Sequence, residues 1–413
     1  MKFIHISDLH FGKNLFGYSM VSEGDQKYWV ERFFELVEKE NPDAILIAGD
    51  VYDRGVPPKE AVELLDYFIT TLADRNIPIM MIAGNHDSGT RLSFGSNLFK
   101  EKNVYIAGEI EKEIKHVTLN DEYGPVTFWL VPYLFPASVQ VALGDESITG
   151  YDQAMRRLLE QQDIDFSKRN VILSHQTVLN NGTGPEVDGS ETAIGGVGDI
   201  EVSAYEGFDY VALGHIHAAQ KVKEEYIRYS GSPLCYHFGE LRKSHKGPVI
   251  VELGKKGEFN YRIEELPILH TLREVKGLLS EIVEKEIKNK NSNEYIRVVI
   301  TDDIVPSDAR QTLLSIFEKK DSKLMEIIHE PANRINIERD VYEGTEKKTL
   351  DEFFIDFYRS RNNDEFPSEQ DQSLISFVAE QVNHASEDEK VNQPSNNDLE
   401  KIIHFMMKQE DVK

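Results

Sequence analysis

The sequence is poor in cysteine, in long apolar runs and in basic residues. Cys235 is the only cysteine among 413 residues, so neither an intrachain disulfide nor a zinc site built from cysteines is expected. No apolar run approaches the ~18 residues of a membrane span, which predicts a chain without membrane helices. His5 and Asp8 interrupt the apolar residues at the start, and this pattern argues against a signal peptide. These absences predict a protein of the reducing cytoplasm.

The net charge is strongly negative. The chain has 46 basic and 72 acidic residues, which gives a net charge of −26. This balance argues against a general nucleic-acid coat protein, which is normally basic. It does not exclude a nuclease, because carboxylates that bind metal ions add to the acidic count. A chain this acidic is expected to need a partner in order to hold a polyanion firmly.

Length and patterning predict three domains. A chain of 413 residues is too long for one ordinary domain, and 40% hydrophobic residues indicate a substantial core. Residues 1–267 alternate predicted strands and helices, which is typical of an α/β sheet covered by helices. Residues 268–342 predict a small α+β domain, and residues 343–413 predict a helical tail that contains a polar linker.

The predicted elements follow the spacing of the apolar residues. In the first domain, strands are predicted at Lys2–Ser7, Ala44–Ala48, Ile77–Ala83, Val126–Val131, Val171–Ser174, Tyr210–Leu213, Ile227–Ser230 and Pro248–Glu252, and helices at Asp25–Glu40 and Pro57–Ala73. In the second domain, helices are predicted at Leu272–Lys288 and Pro306–Glu318, and strands at Tyr295–Ile300 and Leu324–His329. In the tail, helical spacing recurs at 350–358, 374–382 and 399–407.

Polar residues of metal-binding type follow five of the predicted strands. The motifs are DLH (Asp8, His10), GDVYDRG (Asp50, Asp53, Arg54), GNHD (Asn85, His86, Asp87), SHQ (His175) and GHIH (His215, His217). Ligands bind beyond the carboxyl ends of strands in open α/β sheets, so the five strand ends are expected to converge on one site. A single DxH or HxH motif is usually an accident. The occurrence of five clusters, each behind an apolar strand, favours a real site.

The residue types indicate what the site holds. Carboxylate, imidazole and amide ligands together suit Mn, Fe or Zn better than Mg or Ca. Residues two apart on an extended segment point the same way, so Asp8 with His10 and His215 with His217 can act as pairs. Seven ligand-type residues are too many for one tetrahedral ion. They suit two ions about 3.5–4 Å apart, which activate water and stabilise the charge on a phosphoryl group.

The five motifs, in this order, resemble those of the calcineurin-like metallophosphoesterases. Longer stretches, namely YVALGHIHAAQ, YSGSPL, HFGE and SHQTVLNNG, resemble the SbcD-like nuclease subunits. The resemblance covers about residues 1–265, and the later segments match in layout only. It implies an α/β fold: a calcineurin-like metallophosphoesterase β-sandwich flanked by helices, a small α+β capping domain and a helical C-terminal tail.

The resemblance also implies a role for each site residue. It places Asp8, His10 and His217 on one metal ion, Asn85, His175 and His215 on the other, and Asp50 between the two. It makes His86 the general acid. Asp53 could orient His86, although archaeal and eukaryotic relatives carry a histidine at this position. Arg54 could contact a phosphate or form a surface salt bridge.

The function implied by the resemblance is that of a DNA nuclease subunit in an SbcCD-type complex. The expected cofactors are two divalent metal ions, most simply Mn²⁺. The expected activities are 3′→5′ exonuclease action on double strands and endonuclease action on hairpins, in DNA repair, recombination and replication. The expected partners are DNA, a coiled-coil ATPase of the SbcC type that binds residues 349–381, and a second copy of this chain within a heterotetramer.

Two other functions stay open. A phosphomonoesterase or cyclic-nucleotide phosphodiesterase would use the same metals on a small substrate, and the GDVYDRG motif resembles that of the phosphoprotein phosphatases. A scaffold without enzymatic activity would tether DNA ends through its partner. The intact ligand set argues against the scaffold, and the additional domains argue against the small substrate.

Several histidines and basic residues have a structural and a functional interpretation. His5, between Ile4 and Ile6, is predicted to be a packed histidine, and His237 a loop residue. The basic run of Arg242, Lys243, His245 and Lys246 could be a solvated hairpin or a loop that contacts phosphate. For residues 399–407 the pattern favours neither internal packing nor docking to a partner.

Overall fold

The computed structural model describes residues 1–187, 199–242 and 246–331, together with residues 355, 359, 366–368 and 372. The chain divides into two compact units, Met1–Asn333 and Arg334–Lys413. The helices predicted in the tail lie outside the described residues, apart from the few positions named above. Among the described residues, the structure contains no helix of the length and apolarity that a membrane crossing requires.

The first unit contains strands and helices throughout its length. The strands are β1 Lys2–Ile6, β2 Asn14–Leu15, β3 Tyr18–Ser19, β4 Ala44–Ala48, β5 Ile79–Ile82, β6 Val104–Ala107, β7 Lys115–Asp121, β8 Gly124–Val131, β9 Arg169–His175, β10 Thr177–Leu179, β11 Asp199–Glu201, β12 Tyr210–Gly214, β13 Gln220–Val222, β14 Glu224–Tyr229, β15 Val249–Leu253, β16 Phe259–Ile263, β17 Thr271–Gly277, β18 Glu294–Ile300 and β19 Lys323–His329. The α-helices are α1 Asp25–Glu40, α2 Lys59–Ala73, α3 Gly89–Leu92, α4 Ser96–Phe99, α5 Pro136–Leu143, α6 Tyr151–Glu160, α7 Leu279–Lys288 and α8 Ala309–Glu318. Short 3₁₀ turns occur at Lys100–Lys102, Val202–Tyr205 and Phe238–Arg242.

Two six-stranded sheets pack face to face. The first has the order β16-β15-β1-β4-β5-β6, and the second has the order β13-β14-β12-β9-β8-β7. In the first sheet β1, β4, β5 and β6 run parallel, and in the second β8, β9, β12 and β14 do. Apolar residues from both sheets fill the space between them, and the ring of Phe3 meets that of Phe128 at 5.8 Å. The predicted β-sandwich is therefore confirmed.

Helices cover the outer face of each sheet. The strand β4 reads AILIA and is buried at every position, as expected for a central parallel strand that is covered on both faces. On one side, Phe33 of α1 and Phe68 of α2 belong to the same buried cluster as the outward residues of the first sheet. On the other side, Met155 and Leu158 of α6 pack against the second sheet. Amphipathic helices thus seal both apolar faces.

Residues 271–329 form a third, parallel sheet of β17, β18 and β19, with α7 and α8 packed against it. The prediction of a single helix over Leu272–Lys288 was wrong in its first part, because Thr271–Gly277 is strand β17. Leu272, Val275 and Leu279 fit helical spacing, which explains the error. All seven residues of β17 pair in register with β18, and this long-range pairing outweighs the local pattern.

The third sheet packs directly on the sandwich. The carboxylate of Asp25, at the start of α1, is buried and accepts hydrogen bonds from the Tyr295 hydroxyl at 2.6 Å and from His270 Nδ1 at 2.9 Å. The guanidinium of Arg297 lies 4.3 Å from the ring centre of Phe238, which belongs to the sandwich. These contacts join residues 268–331 to the sandwich through specific polar and cation–π interactions.

His5 lies in the centre of the sandwich, as predicted for a packed histidine. It is fully buried, and its Nδ1 lies 3.0 Å from the hydroxyl of Tyr210 in the facing sheet. Burial, reinforced by the positive charge of Arg228, lowers the pKa of His5 to about 3. The imidazole is therefore neutral at physiological pH and packs in the core between the two sheets.

Acidification is expected to destabilise the protein through His5. Below pH 6.5, the ordinary pKa of a histidine side chain, His5 becomes protonated in the unfolded chain but stays neutral in the folded protein. The free energy of unfolding should fall by up to about 1.4 kcal/mol per pH unit until the pH approaches the folded pKa. Urea unfolding of metal-free protein at several pH values would measure this slope. The dependence of the unfolding free energy on pH should be shallower for His5→Gln than for the wild type. The control His116→Gln, at an exposed site, should have the slope of the wild type. Equal slopes for all three proteins would contradict the role assigned to His5.

Candidate metal centre

The structure brings all seven predicted ligand residues to one edge of the sandwich. The parallel strands β1, β4 and β5 of the first sheet end there, as do β9 and β12 of the second. The ligand residues lie at these ends or directly after them: Asp8 and His10 after β1, Asp50 after β4, Asn85 after β5, His175 at the end of β9, and His215 and His217 after β12. The expected convergence of five strand ends is therefore present.

The first group of side chains consists of Asp8, His10 and His217. All three are buried, and their ligand atoms lie within 4.8 Å of one another. The Nε2 atoms of His10 and His217 are 3.1 Å apart. The main-chain N–H of His215 donates to Asp8 Oδ1 at 3.0 Å, so the segment after β12 also orients the carboxylate after β1.

The second group consists of Asn85, His175 and His215. The amide oxygen of Asn85 lies 3.1 Å from His175 Nε2 and 3.0 Å from His215 Nδ1. Between the two groups, Asp50 Oδ2 lies 3.3 Å from His175 Nε2 and 3.6 Å from His10 Nε2. Asp50 is thus the residue that connects them.

These distances fit a metal centre. Ligand atoms bonded at ~2.1 Å to one octahedral ion lie about 3 Å from each other, which matches the spacing of the His10, His217, Asn85, His175 and His215 ligand atoms. The mixture of imidazole, carboxylate and amide donors suits a divalent transition metal. The residues therefore fit two divalent ions.

The backbone that presents the ligands is strained. Four ligand residues adopt the left-handed region that is uncommon for residues with a side chain, namely Asp8 at φ 53°, His10 at 44°, Asp50 at 48° and His215 at 99°. Such conformations cost free energy and persist at sites where function requires them. Gly84 also has a steric role, because a Cβ atom there would lie 2.1 Å from Asp50 Oδ1.

Asp87 of the GNHD motif lies beneath the site and holds two loops together. Its carboxylate accepts the main-chain N–H groups of Val51 at 3.0 Å, Tyr52 at 2.8 Å and Gly84 at 2.9 Å. Burial, with the nearby charge of Asp50, raises the pKa of Asp87 to about 6. This residue therefore shapes the loops that follow β4 and β5.

Electrostatics in the metal-free site couple Asp50 and His175. Burial disfavours the charged form of both groups, but their mutual attraction prevails: the pKa of Asp50 lies well below its usual range, and that of His175 rises to about 9. Burial, with the charge of His175, lowers the pKa of His215 to about 3. A metal ion that binds here must displace the proton on His175, so binding should weaken as the pH falls.

His86 lies at the mouth of the centre and is exposed to solvent. Its Nδ1 donates a hydrogen bond to the main-chain carbonyl of Asp53 at 2.9 Å, and its ring centre is 4.8 Å from that of His10. The sequence suggested that the Asp53 carboxylate would orient His86. The structure shows the contact at the carbonyl instead, while the carboxylate pairs with Lys13 at 2.9 Å. Arg54 is exposed, and no ion pair joins it to another described residue.

Sequence reasoning missed Glu240, which lies behind the metal centre. Its carboxylate is buried and accepts from His217 Nδ1 at 3.3 Å and from Lys246 Nζ at 2.7 Å. Burial opposes its charge, but Lys246 and His217 outweigh that effect and lower the pKa of Glu240 to about 2. Glu240 is the last residue of the HFGE motif, which was the one sequence feature that could have pointed to it. Lys246 belongs to the basic run for which a solvated hairpin or a phosphate-contacting loop was predicted, but it pairs with this buried carboxylate instead. Lys243 and His245 lie outside the described residues, as does the side chain of Arg242.

Glu240→Gln is expected to weaken the binding of Mn²⁺ about 10–100-fold, as removal of a carboxylate behind a metal-binding histidine typically does. The charge of Glu240 holds the proton on Nδ1 of His217, so that Nε2 could offer its lone pair to a metal ion. Calorimetric titration with Mn²⁺ would measure the change. Glu113→Gln, at an exposed carboxylate, should bind as the wild type does, and equal affinity in Glu240→Gln would contradict the role.

Comparison with known proteins agrees with the fold. The family described as calcineurin-like phosphoesterase matches residues 1–219, and a second family, SbcD_C, described as type 5 capsule protein repressor C-terminal domain, matches residues 269–362. The D subunit of the nuclease SbcCD from Staphylococcus epidermidis is 35% identical over 322 residues, which cover 77% of this chain and 83% of that protein. The protein of the same name in Staphylococcus saprophyticus is 35% identical over 299 residues, 72% of this chain and 77% of that protein.

The match over residues 1–219, together with the sandwich of two sheets, shows that this chain is a metal-dependent phosphoesterase of the calcineurin-like class. Within this class, the chain belongs to the SbcD family. The crystal structure of TT1561 from Thermus thermophilus is a more distant match, with 13% identity, a TM-score of 0.34, and coverage of 56% of this chain and 89% of that one.

Proposed function

We propose that this protein is the nuclease subunit of an SbcCD-type complex and hydrolyses DNA phosphodiesters with two divalent metal ions. The observation that supports this proposal is the convergence of seven ligand residues, in a chain whose relatives are named as nuclease subunits. Six of the seven are linked by contacts of 3.0–3.6 Å, and Asp8 lies within 4.8 Å of His10 and His217. The site is open at His86, where a large substrate can approach.

The proposed ligand sets follow the two groups. Asp8, His10 and His217 would hold one ion, Asn85, His175 and His215 would hold the other, and Asp50 would contribute its charge to both. Manganese is the proposed metal, because it accepts carboxylate, amide and imidazole donors together. When bound, the ions supply an activated water and stabilise the charge that develops on the phosphoryl oxygens.

His86 is the proposed general acid. Its hydrogen bond to the Asp53 carbonyl fixes the proton on Nδ1 and orients the ring. As an imidazolium, His86 would donate the proton on Nε2 to the leaving sugar oxygen as the P–O bond breaks. Asp53 acts as a positioning residue through its carbonyl. Arg54, exposed on the same loop, is proposed to contact a phosphate of the bound strand.

The other proposals concern the rest of the chain. Residues 1–267 form the nuclease domain, and residues 268–342 cap the site and position DNA. Residues 343–413 form the tail, in which residues 349–381 bind a coiled-coil ATPase of the SbcC type. The net charge of −26 supports a role for the partner in DNA affinity. The protein acts in the cytoplasm, as a homodimer within a heterotetramer, on double-strand 3′ ends and hairpins during DNA repair, recombination and replication.

A nuclease assay on a labelled hairpin duplex tests the proposal. The full chain is assayed with and without its ATPase partner and ATP, in Mn²⁺ or Mg²⁺. Asn85→Ala should abolish cutting, whereas Asn120→Ala, at an exposed position on β7, should not change it. Cutting that requires Mn²⁺ and responds to the partner would support the proposal. Hydrolysis of a small phosphodiester without any cutting of DNA would favour a small-molecule phosphodiesterase instead.

A further inference from the structure

An exposed aromatic side chain lies beside the metal centre. Phe135 is 51% exposed, and its ring packs edge-on against Tyr133 with the centres 4.9 Å apart. The ring of Tyr133 lies 6.2 Å from the rings of both His175 and His215. Only one side chain therefore separates an exposed aromatic ring from two proposed metal ligands.

The segment that carries Phe135 leaves the sandwich at the edge that holds the ligands. Strand β8 runs parallel to β9, and β9 runs parallel to β12, so residues 132–135 emerge at the same end as His175 and His215. The segment is firmly anchored. Leu134 is completely buried, and Pro136 begins α5 directly after Phe135. The ring is thus presented by a fixed backbone.

We propose that Phe135 is a stacking platform for an unpaired nucleobase of the DNA strand next to the phosphodiester that is cut. The proposal rests on the nuclease function proposed above. Proteins hold single-stranded nucleic acid by stacking its bases on exposed aromatic rings. Stacking does not depend on charge, which matters in a chain with a net charge of −26. The platform favours strands with unstacked bases, such as frayed ends and hairpin loops, over fully paired duplex.

The test combines Phe135→Ala with removal of single nucleobases from the substrate. The full chain is assayed in Mn²⁺ on hairpin duplexes whose unpaired loop carries one abasic nucleotide at successive positions near the cut. The wild type should lose about tenfold in kcat/KM when the stacked base is missing. Phe135→Ala should show that loss on the intact strand and no further loss on the abasic strand, because the ring and the base form one contact.

The chain offers matched controls. Phe166 is also exposed and packs on Phe208, but it lies in the loop before the start of β9, at the opposite end of that strand from His175. Phe166→Ala should therefore cut every strand at the wild-type rate. Phe135→Leu keeps an apolar side chain of similar size but has no flat ring, so its activity should equal that of Phe135→Ala. If the alanine variant does not fold, the leucine variant is used in its place. A hairpin whose loop consists only of abasic nucleotides should be cut equally by all variants.

Two results would overturn the stacking role of Phe135. In the first, the loss in kcat/KM from removing the ring and the loss from removing the base multiply when both are removed. In the second, Phe135→Ala and Phe135→Leu keep full activity on every substrate. Either would leave the nuclease function intact, because the wild type would still cut DNA. Failure of the wild type to cut any DNA would instead overturn the nuclease function on which the platform rests. The two failures are therefore distinguishable.

Discussion

Replacing His86 by alanine should lower the rate of DNA cleavage about 10²–10⁴-fold, the usual contribution of a general acid. The leaving sugar oxygen is strongly basic and needs a proton as its bond to phosphorus breaks. His86 is exposed at the mouth of the site, and its main contact is the hydrogen bond from Nδ1 to the Asp53 carbonyl. The protein should therefore keep its melting temperature and its bound metal while it loses turnover.

A substrate with a good leaving group separates this role from a structural one. Hydrolysis of bis-para-nitrophenyl phosphate releases a stabilised phenolate that needs no proton donor, so His86→Ala should retain most of this activity. Equal losses on DNA and on the small substrate would show that His86 acts in binding rather than as an acid. His116→Ala, at an exposed histidine of β7, is the matched control and should cleave both substrates as the wild type does.

Asp50→Asn should have the second large effect, a loss of roughly 10³-fold or more, since metal stabilisation supplies several kcal/mol of the barrier reduction. The Asp50 carboxylate lies between the two ligand groups, 3.3 Å from His175 and 3.6 Å from His10. It also accepts the main-chain N–H of His86 at 2.9 Å. Asparagine keeps the shape but removes the charge that both ions would share.

Metal content is the decisive measurement for Asp50. Mass spectrometry under native conditions should show two Mn²⁺ ions on the wild type and on Asp163→Asn, a control at an exposed carboxylate. Asp50→Asn should hold fewer than two. Retention of both ions with loss of activity would contradict a bridging role and would assign Asp50 to the chemistry alone.

The arrangement of the candidate site could be predicted because its residues follow strands in the sequence. Apolar runs that end in Asp8, Asp50, Asn85 or His175 mark the strand ends, and parallel strands bring their carboxyl ends to one edge. His5 could be predicted as a packed residue because apolar neighbours flank it within β1. Its complete burial confirms that prediction.

Features that depend on long-range contacts could not be predicted. Strand β17 has helical spacing and becomes a strand only because β18 pairs with it. Glu240 ends the HFGE motif, but the motif does not indicate which histidine it contacts, and only the folded structure brings it to His217. The contact between His86 and the Asp53 carbonyl involves a main-chain atom, which leaves no trace in the side-chain pattern.

The order of strands in the first sheet has a consequence for synthesis on the ribosome. Strand β1 pairs on one side with β4 and on the other with β15, which begins at Val249. At about 5–20 residues per second, the second partner of β1 is made roughly 10–50 s after β1 itself. During that interval β1 presents an open edge to other nascent chains. His217 is likewise synthesised long after Asp8, although both belong to the same group of candidate ligands. The growing polypeptide therefore cannot complete its metal centre, or cut nucleic acid near the ribosome, until most of the sandwich has been translated.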